Sequence, residues 1–362
     1  MRFRPATDFD AQAWQDLLGA CASGDFLHDW EWANVAAFDG QPQRRYVLED
    51  QGQIVAIAAA QVRRLPFGRQ FWYVPHGPVL DYGSAHATAR VRAMVIGLRE
   101  AARRHRAVTV RLEPRLEAES SDLAAFAATR GLRPKPETLQ VGHTRLVDLT
   151  DDEALIAGFD KDTRYAVRRA EREGVAVAVV AEEASDAAID SLHGLVGETQ
   201  RRAGFTMPAL ERYRVAWRGL GQAGRAVILE ARQGGELLAA AMVVFEGDRS
   251  FYLFSGSRRE DRGEQKRYAS YALQWAMMRL ARERGCRVHD LWGVAPPDAG
   301  EKHAWHGVGL FKKGFGGREV AWAGSWDLVV NAPMYRLREA TGIMRRWVRG
   351  FRGVAGLRPG RG

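Results

Sequence analysis

The chain has 362 residues, of which 46% are hydrophobic and 27% charged, with a net charge of +9 and a pI near 9.8. This length and composition predict a soluble globular protein of two domains and exclude a disordered or fibrous chain. The positive charge is carried almost wholly by arginine and favours polyanionic partners such as tRNA, nucleotide diphosphates or anionic lipid surfaces.

The N-terminal residues carry no pattern typical of a secretion signal. Residues 1–5 are not followed by an apolar stretch, and no segment reaches the roughly 18 uncharged apolar residues of a membrane span. The two cysteines, Cys21 and Cys286, are far apart in the sequence, so neither a disulfide framework nor a cysteine-based zinc site is expected. Together these features predict a cytoplasmic protein.

The first part of the chain predicts three antiparallel strands, a helix and a further strand. The first two strands form a hairpin over residues 44–62 around a turn at 50–53. A second turn at 66–69 leads into the third strand, 71–74. The helix is expected at 86–105 and the last strand at 108–112.

A basic helix is predicted at residues 159–174, closed by a glycine of the kind that follows helix ends. Its cations are spaced 3, 4 and 4 residues apart, which aligns them on one helix face; they are Lys161, Arg164, Arg168 and Arg172. This face is either solvated and partly neutralised by neighbouring glutamates, or a surface that follows a phosphate backbone.

The element order of the first part recurs downstream. Strands are predicted at 226–231, 237–245 and 250–254, followed by a helix at 265–284 and a strand at 287–291. Two copies of one unit explain the length better than a single large fold. The expected fold class is therefore α+β, with two tandem GNAT-like (acyltransferase-like) domains whose mixed sheets are flanked by helices.

The domain boundary is predicted near residues 149–152, where an apolar strand gives way to an acidic helix start. The first domain then spans 1–150 and is completed by a C-terminal return segment at about 320–362, while the second spans 151–319. Within the return segment, residues 343–351 are predicted to form an amphipathic basic helix, which either packs on the first domain or rests on an anionic membrane surface.

Two histidines in one loop, His303 and His306, are poor evidence for a metal site. No acidic residue stands at a useful spacing from them, and no phosphate-binding loop motif occurs in the chain. No metal and no cofactor are expected.

Four segments resemble motifs of the FemABX family of peptidyl transferases, in family order. Residues 161–175 resemble K-x-x-R-Y-x-x-R-x-A-x-x-x-G-V, 72–79 resemble Y-V-P-R-G-P-V, 271–275 with 290–293 resemble L-L-Q-W and D-L/F-W-G, and 311–317 resemble F-K-x-G-F-G-G. The resemblance extends from about residue 26 to 328. It implies two GNAT-like domains, aminoacyl-tRNA as donor and a muropeptide precursor as acceptor.

The implied reaction moves Gly, Ala or Ser from aminoacyl-tRNA to the stem-peptide amine of a peptidoglycan precursor, forming an interpeptide bridge. The amine must lose a proton, attack the ester carbonyl and pass through a tetrahedral oxyanion that needs a fixed donor. Because the ester is already activated, neither a metal nor acetyl-CoA is required. We expect a monomer in peripheral contact with the inner leaflet of the membrane.

The family motifs supply the expected catalytic residues. Lys312 occupies the Phe-Lys position, where the resemblance implies a cation beside the tRNA acceptor end or the oxyanion, unless the neighbouring Lys313 points inward instead. Because nearly all cationic residues of the chain are arginines, a lysine at this position is informative. Ammonium and guanidinium are not interchangeable. Glu113 either holds or deprotonates the incoming amine or caps a loop.

Substrate contacts are expected from the basic helix (Lys161, Arg164, Arg168) and from a set of aromatic residues. Phe311 either stacks on an adenine of the acceptor end or belongs to the core, and Tyr213 resembles a family tyrosine at the acceptor's nucleotide-sugar part. The other expected contacts are Phe254 and Trp292.

Two departures put the family's nucleotide-diphosphate contacts in doubt: Ala209 stands where the family has arginine, and Ala36 where it often has lysine. Either other arginines substitute (Arg44, Arg45, Arg201 or Arg202), or the acceptor is lipid-linked.

Two other functions compete with this interpretation. A GNAT N-acyltransferase would use acetyl-CoA, whose pyrophosphate binds a Gly-rich turn before a helix, and residues 258–263 form only a poor version of that turn. A degenerate tandem fold could bind tRNA or muropeptide without catalysis.

Overall fold

The structure is a computed structural model, and it describes residues 1–135, 137–203, 207–258, 267–301, 303 and 305–340. Residues 343–351 and 259–263, to which the sequence assigned an amphipathic helix and part of a poor pyrophosphate turn, lie outside this described part. The chain divides into two compact units. Of the described residues, the N-terminal unit holds Met1–Gly142 and those from Ala321 to Ala340, and the central unit holds His143–Val320.

The strands of the described residues, in chain order, are β1 (Arg2–Pro5), β2 (Gln43–Asp50), β3 (Gln53–Leu65), β4 (Arg69–Val74), β5 (Val79–Leu80), β6 (Ala107–Leu112), β7 (Leu132–Lys135), β8 (His143–Asp148), β9 (Ala176–Val179), β10 (Ala226–Gln233), β11 (Glu236–Glu246), β12 (Arg249–Ser257), β13 (Val288–Asp290), β14 (Arg318–Ala321) and β15 (Ser325–Val329).

The α-helices of the same residues are α1 (Ala11–Ala20), α2 (Trp32–Phe38), α3 (Ala87–Arg104), α4 (Ala124–Ala127), α5 (Asp152–Ala157), α6 (Lys161–Arg172), α7 (Ser185–Ala203), α8 (Leu210–Ala216), α9 (Ala269–Glu283), α10 (His306–Gly314) and α11 (Ala332–Ala340). Short 3-10 turns lie at Asp8–Asp10, Phe26–His28, Pro66–Gly68, Ser121–Leu123 and Glu182–Ala184, and α8 continues into a π-helical turn, Trp217–Gly221.

The N-terminal unit is built on a mixed sheet with strand order β1-β2-β3-β4-β6-β15-β7, and β5 pairs with β3. Neighbours are antiparallel apart from β4 and β6, which are parallel and joined by α3. Alternating side chains of β2 and β3 face opposite sides of this sheet. Tyr46 and Leu48 pack with α3, whereas Val47 and Ile57 pack with α1.

The central unit repeats the arrangement with strand order β14-β8-β13-β12-β11-β10-β9. Here β12 and β13 form the parallel pair, and α9 connects them. The helix packs its apolar face, including Leu273 and Met277, on β10 and β11. A second cluster around Trp275 and Phe315 joins α5, α6 and α9 to the end of α10.

The α+β tandem fold predicted from the sequence is confirmed, as are the two hairpins and the helix and strand that follow each. The structure divides the chain after Gly142, eight residues before the boundary drawn from the sequence. The difference is the strand β8, which pairs with β13 of the central sheet through three residue pairs. Local pattern identified β8 as a strand but carries no information about its partner.

Candidate active site

Lys312 lies inside the central unit on the last turn of α10, with 6% of its surface exposed. Lys313, the neighbour that the sequence left as an alternative, is exposed. Lys312 is helical, and the helix turns its side chain toward the sheet.

The amine of Lys312 is held by backbone carbonyls. Its Nζ donates to the carbonyl oxygen of Gly293 at 2.7 Å and to that of Trp292 at 3.3 Å, and it lies 5.8 Å from the ring centre of Tyr252. Burial lowers the pKa of Lys312 to about 7, and the Asp290 carboxylate opposes that shift. An ammonium has three N–H donors, so these two bonds leave one for another acceptor.

The carbonyls that hold Lys312 are presented by a constrained turn after β13. Trp292 has φ +61°, a left-handed conformation that is uncommon for a bulky residue. Asp290 stabilises the turn, since its Oδ1 accepts from the backbone nitrogen of Trp292 at 2.8 Å and from the hydroxyl of Thr144. The Asp-Leu-Trp-Gly motif thus contributes its backbone, while the Trp292 ring is buried and meets Phe251 edge-on at 6.0 Å.

The glycines that follow Lys312 allow the chain to pack closely against α5, α6 and β8. A Cβ on Gly314 would lie 2.2 Å from the hydroxyl of Thr163 in α6, and one on Gly317 would lie 2.2 Å from the carbonyl oxygen of Leu146. The backbone nitrogen of Asp160, which caps α6, donates to the Gly314 carbonyl at 2.9 Å. The position of α10, and with it Lys312, is therefore set by direct contact with the basic helix.

The basic helix α6 presents its cations unequally. Lys161, Arg168 and Arg172 are exposed. Arg164 is half-buried, and its guanidinium donates to the carbonyl of Phe159 and, at 3.4 Å, to that of Ala157. The predicted stripe of four thus consists of three solvent-facing cations and one arginine that binds the carboxyl end of α5.

Phe311, which directly precedes Lys312 in α10, belongs to an aromatic cluster. Its ring centre is 5.1 Å from that of Tyr271 and 5.2 Å from that of Phe315, both in edge-to-face geometry. It is half-buried, so part of the ring faces solvent. Both predicted roles, core packing and stacking on a base, are compatible with this placement.

Tyr213 and Phe254, which are far apart in the sequence, form a tilted ring pair in the central unit. Their ring centres are 4.3 Å apart, and His193 meets Tyr213 edge-on at 5.2 Å. Burial raises the pKa of Tyr213, and its hydroxyl has no hydrogen-bond partner among the described residues. Buried hydroxyls are normally paired, so this one offers a polar contact to a ligand.

Glu113 lies in the N-terminal unit, where its carboxylate organises a loop. It accepts from the hydroxyls of Tyr73 and Ser325, the latter at 2.7 Å, and from the backbone nitrogens of Leu139 and Gln140. Burial and this carboxylate raise the pKa of Tyr73 well above its ordinary value, which keeps the phenol a donor. Of the two roles predicted for Glu113, these four contacts favour the loop-capping one.

The two alanines that depart from the family pattern, Ala36 and Ala209, differ in their surroundings. Ala209 is exposed. Ala36 is buried on α2. Arg45 is turned toward Trp30, donating to its carbonyl at 2.6 Å and lying 3.7 Å from its ring centre. Arg44 precedes it in β2 and so faces the opposite side of the sheet, 5.8 Å from the Trp72 ring. Arg201 is exposed in α7, and the side chain of Arg202 lies outside the described part.

Sequence reasoning missed the residues that surround Lys312. Tyr252 and Thr144 lie on strands whose partners cannot be read from one sequence, and Asp290 was noted only as part of a motif. Strand alternation would place Tyr252 and Phe254 on one face of β12, but a register shift pairs Tyr252 with Val243 and Phe254 with the adjacent Met242, so the two rings face opposite sides of the sheet. The loop histidine His303 accepts from the backbone nitrogen of Trp305 at 3.2 Å, and the described residues contain no group of three or more metal-ligating side chains.

A family model described as the FemAB family matches residues 12–130 and 224–341. Among curated proteins, the chain is 23% identical to a lipid II:glycine glycyltransferase of Staphylococcus saprophyticus, over 91% of this chain and 94% of the relative. It is 22% identical to the protein of the same description from Staphylococcus aureus, over 88% and 91% of the two chains.

Among solved structures, the chain is similar to the crystal structure of FemX, with a TM-score of 0.83 and 19% identity over 93% of this chain and 99% of that one. It is also similar to a tandem GNAT protein from the clavulanic acid biosynthesis pathway, with a TM-score of 0.50 and 17% identity over 91% and 98%. At these identities the likeness concerns the fold. In the described part of the chain, no helix has the length and apolarity to cross a membrane.

Proposed function

The chain belongs to the FemAB family, and on this premise we propose that it is an aminoacyltransferase that moves an amino acid from aminoacyl-tRNA to the stem-peptide amine of a peptidoglycan precursor. The relatives described as lipid II:glycine glycyltransferases support the transfer of a small residue to a lipid-linked precursor. Glycine is accordingly the first donor to test, before alanine and serine. The product is one bond of an interpeptide bridge.

The observation that carries this proposal is the buried amine of Lys312. In the reaction, the acceptor amine attacks the ester carbonyl, the carbonyl oxygen becomes an oxyanion, and the C–O bond to the tRNA ribose then breaks. The amine loses one proton and the ribose oxygen gains one, so the exchange is balanced without a cofactor. An N–H of Lys312 that is held in place by two carbonyls suits the oxyanion or the phosphate of the acceptor end.

The donor is proposed to lie along α6 and the end of α10. The exposed cations of α6, Lys161 and Arg168 among them, suit the phosphates of an acceptor stem, and the exposed part of Phe311 suits an unpaired base. The contact between Asp160 and Gly314 supports this arrangement, since it couples the basic helix to the helix that carries Lys312.

The acceptor is proposed to be the lipid-linked precursor. Tyr213 and Phe254 form a buried aromatic pair whose hydroxyl has no hydrogen-bond partner in the described part of the chain, while neither Ala36 nor Ala209 can bind a diphosphate. Arg44 and Arg45 do not replace the missing cations on the α2 side of the sheet, because one faces away and the other binds Trp30. We place the enzyme in the cytoplasm, at the inner face of the membrane, as a monomer.

The test is a titration of the purified protein with three substrates, followed by product mass. Glycyl-, alanyl- or seryl-tRNA together with a lipid-linked, lysine- or ornithine-containing muropeptide in neutral detergent should give a product heavier by one residue. Acetyl-CoA with the same muropeptide should give none. Acetylation without aminoacyl transfer would replace the proposal with an acyl-CoA enzyme, and binding of tRNA without any product would indicate a non-catalytic protein.

A further inference from the structure

The hairpin between β3 and β4 ends in an exposed aromatic side chain. Its three-residue turn is Pro66–Gly68, and Phe67 at the centre has 88% of its surface exposed. The flanking strands are paired up to Leu65 and Arg69, so the turn is a tip that follows directly from the sheet. A large apolar side chain at such a tip lies away from the core clusters of the unit.

The turn geometry does not favour this residue. Phe67 has φ 60° and ψ 30°, in the left-handed region where a bulky side chain is disfavoured and glycine is at ease. Gly68 beside it also has positive φ, 65°. The hairpin would thus form at least as well with glycine at 67, and the phenylalanine needs a reason other than folding.

Arginines surround the tip. Helix α3 ends beside it, because β4 and β6 are parallel neighbours and the backbone nitrogen of Gln70 donates to the carbonyl of Arg106 at 3.4 Å. A Cβ on Gly68 would lie 4.0 Å from a guanidinium nitrogen of Arg106. The arginines of the hairpin and the one beside it, which with Phe67 we call the arginine tip, are Arg63, Arg64, Arg69 and Arg106.

The arginine tip is not balanced by acids of its own segments. Residues 61–72 and 101–112 contain neither aspartate nor glutamate. Arg64 and Arg106 are exposed, and Arg63 and Arg69 are half-buried. The tip therefore presents positive charge around an apolar point.

We propose that the arginine tip is a docking surface for an anionic lipid bilayer, with Phe67 entering the interfacial layer and the arginines contacting lipid phosphates. Basic residues around an exposed aromatic side chain are the combination that interfacial binding uses. Stacking on single-stranded nucleic acid instead uses several aromatic residues along a groove, whereas Phe67 stands alone on a hairpin tip. The inference rests on this surface and not on the proposed chemistry of Lys312.

The experiment is flotation of the full chain with vesicles of phosphatidylcholine alone or of phosphatidylcholine with about 30 mol% phosphatidylglycerol. The wild type should bind the anionic vesicles and not the neutral ones. Phe67→Gly should weaken binding roughly fivefold to tenfold without lowering the melting temperature. Arg64→Ala combined with Arg106→Ala should weaken it at least about tenfold and make the remaining binding less sensitive to added salt.

Phe9→Gly is the matched control. Phe9 is 99% exposed on the same unit, but it stands between Asp8 and Asp10, and its replacement should leave vesicle binding unchanged. Equal loss from both phenylalanine variants, or unchanged binding by folded Phe67→Gly, would overturn the proposal. So would a loss of tRNA binding at constant vesicle binding, which would assign the tip to RNA.

The proposed function and this inference are refuted by different experimental results. Transfer to the lipid-linked precursor dispersed in neutral detergent should be the same for the wild type and Phe67→Gly, since no bilayer is involved. Absence of transfer in both, with vesicle binding intact in the wild type, would refute the enzyme assignment and leave the docking surface standing. Deleting residues 341–362 in parallel separates any contribution of the C-terminal segment.

Discussion

A lysine amine in the interior of a protein is an uncommon choice, because burial disfavours its charged form. In this chain Lys312 is held by two carbonyls and faces one tyrosine ring. Methionine would fill the space with less cost to stability, so the retained amine indicates a chemical use. Three predictions belong to the scale of single residues.

Lys312→Ala should lower single-turnover transfer from aminoacyl-tRNA by roughly 100-fold or more, the effect of losing one oxyanion donor. Lys312→Arg should also be impaired, because a guanidinium is larger and spreads its charge. Lys313→Ala is the control, since that side chain is exposed on the same helix, and it should cost far less. Near-wild-type transfer by folded Lys312→Ala would move the assignment to another residue.

Lys312→Met should raise the melting temperature most at or below pH 7. The folded-state pKa is about 7 and the ordinary value 10.5, so below pH 7 the lysine is charged in both states and the full cost of burial is present. Between these values the folded state has released its proton, and the cost shrinks as pH rises. Melting curves at pH 6 and pH 9.5 test this, and an equal difference at both would contradict a lowered pKa.

Glu113→Gln distinguishes a loop-capping carboxylate from a catalytic one. The carboxylate accepts from four donors, so the amide, which offers one acceptor oxygen, should destabilise the fold by about 1–3 kcal/mol. Transfer per folded molecule should change by less than about tenfold. Loss of transfer by orders of magnitude with an unchanged melting temperature would instead identify Glu113 as the base.

At the scale of elements, the contact between α6 and the end of α10 joins the proposed tRNA surface to the proposed catalytic amine. It depends on the absence of a side chain at Gly314, whose Cβ would overlap the Thr163 hydroxyl. A small displacement of α10 would carry Lys312 away from the carbonyls after β13, and positioning errors of this size are expensive in catalysis.

Gly314→Ala should therefore destabilise the protein by about 1–3 kcal/mol and lower transfer. Adding Thr163→Ala removes the overlapping hydroxyl and should restore part of both losses, a coupling that a double-mutant cycle measures. Gly309→Ala, in the same helix, is the control because the nearest atom to its Cβ is 4.0 Å away. Additive effects of the two changes would show that the close approach is not what Gly314 provides.

At the scale of the whole molecule, the tandem organisation could be predicted because each copy carries its own turn residues and its own change from strand to helix periodicity. The same local signals placed β2, β3 and β4 and their counterparts β10, β11 and β12. These local signals could not predict which strands pair with each other. β8 joins the central sheet and β15 is inserted between β6 and β7, and both depend on contacts between residues far apart in sequence.

The candidate site, like the fold, could be predicted only in part from the sequence. Motif resemblance selected Lys312, Tyr213 and the basic helix, while the burial of the lysine and the pairing of Tyr213 with Phe254 required the fold. The donors to Glu113 come from β4, the loop at residues 139–140 and β15. A single sequence cannot show that these three segments meet at one carboxylate. The polar and apolar residues of each segment are already explained by its own local structure.

The position of β15 also bears on how the protein is made. Translation delivers β6 long before β15, and at roughly 5–20 residues per second the ribosome needs on the order of ten seconds or more to supply the strand between β6 and β7. Until then the exposed edge of β6 is open to pairing with other chains. The central unit, by contrast, is contiguous from His143 to Val320, so its sheet is fully synthesised before that of the unit that precedes it in the sequence.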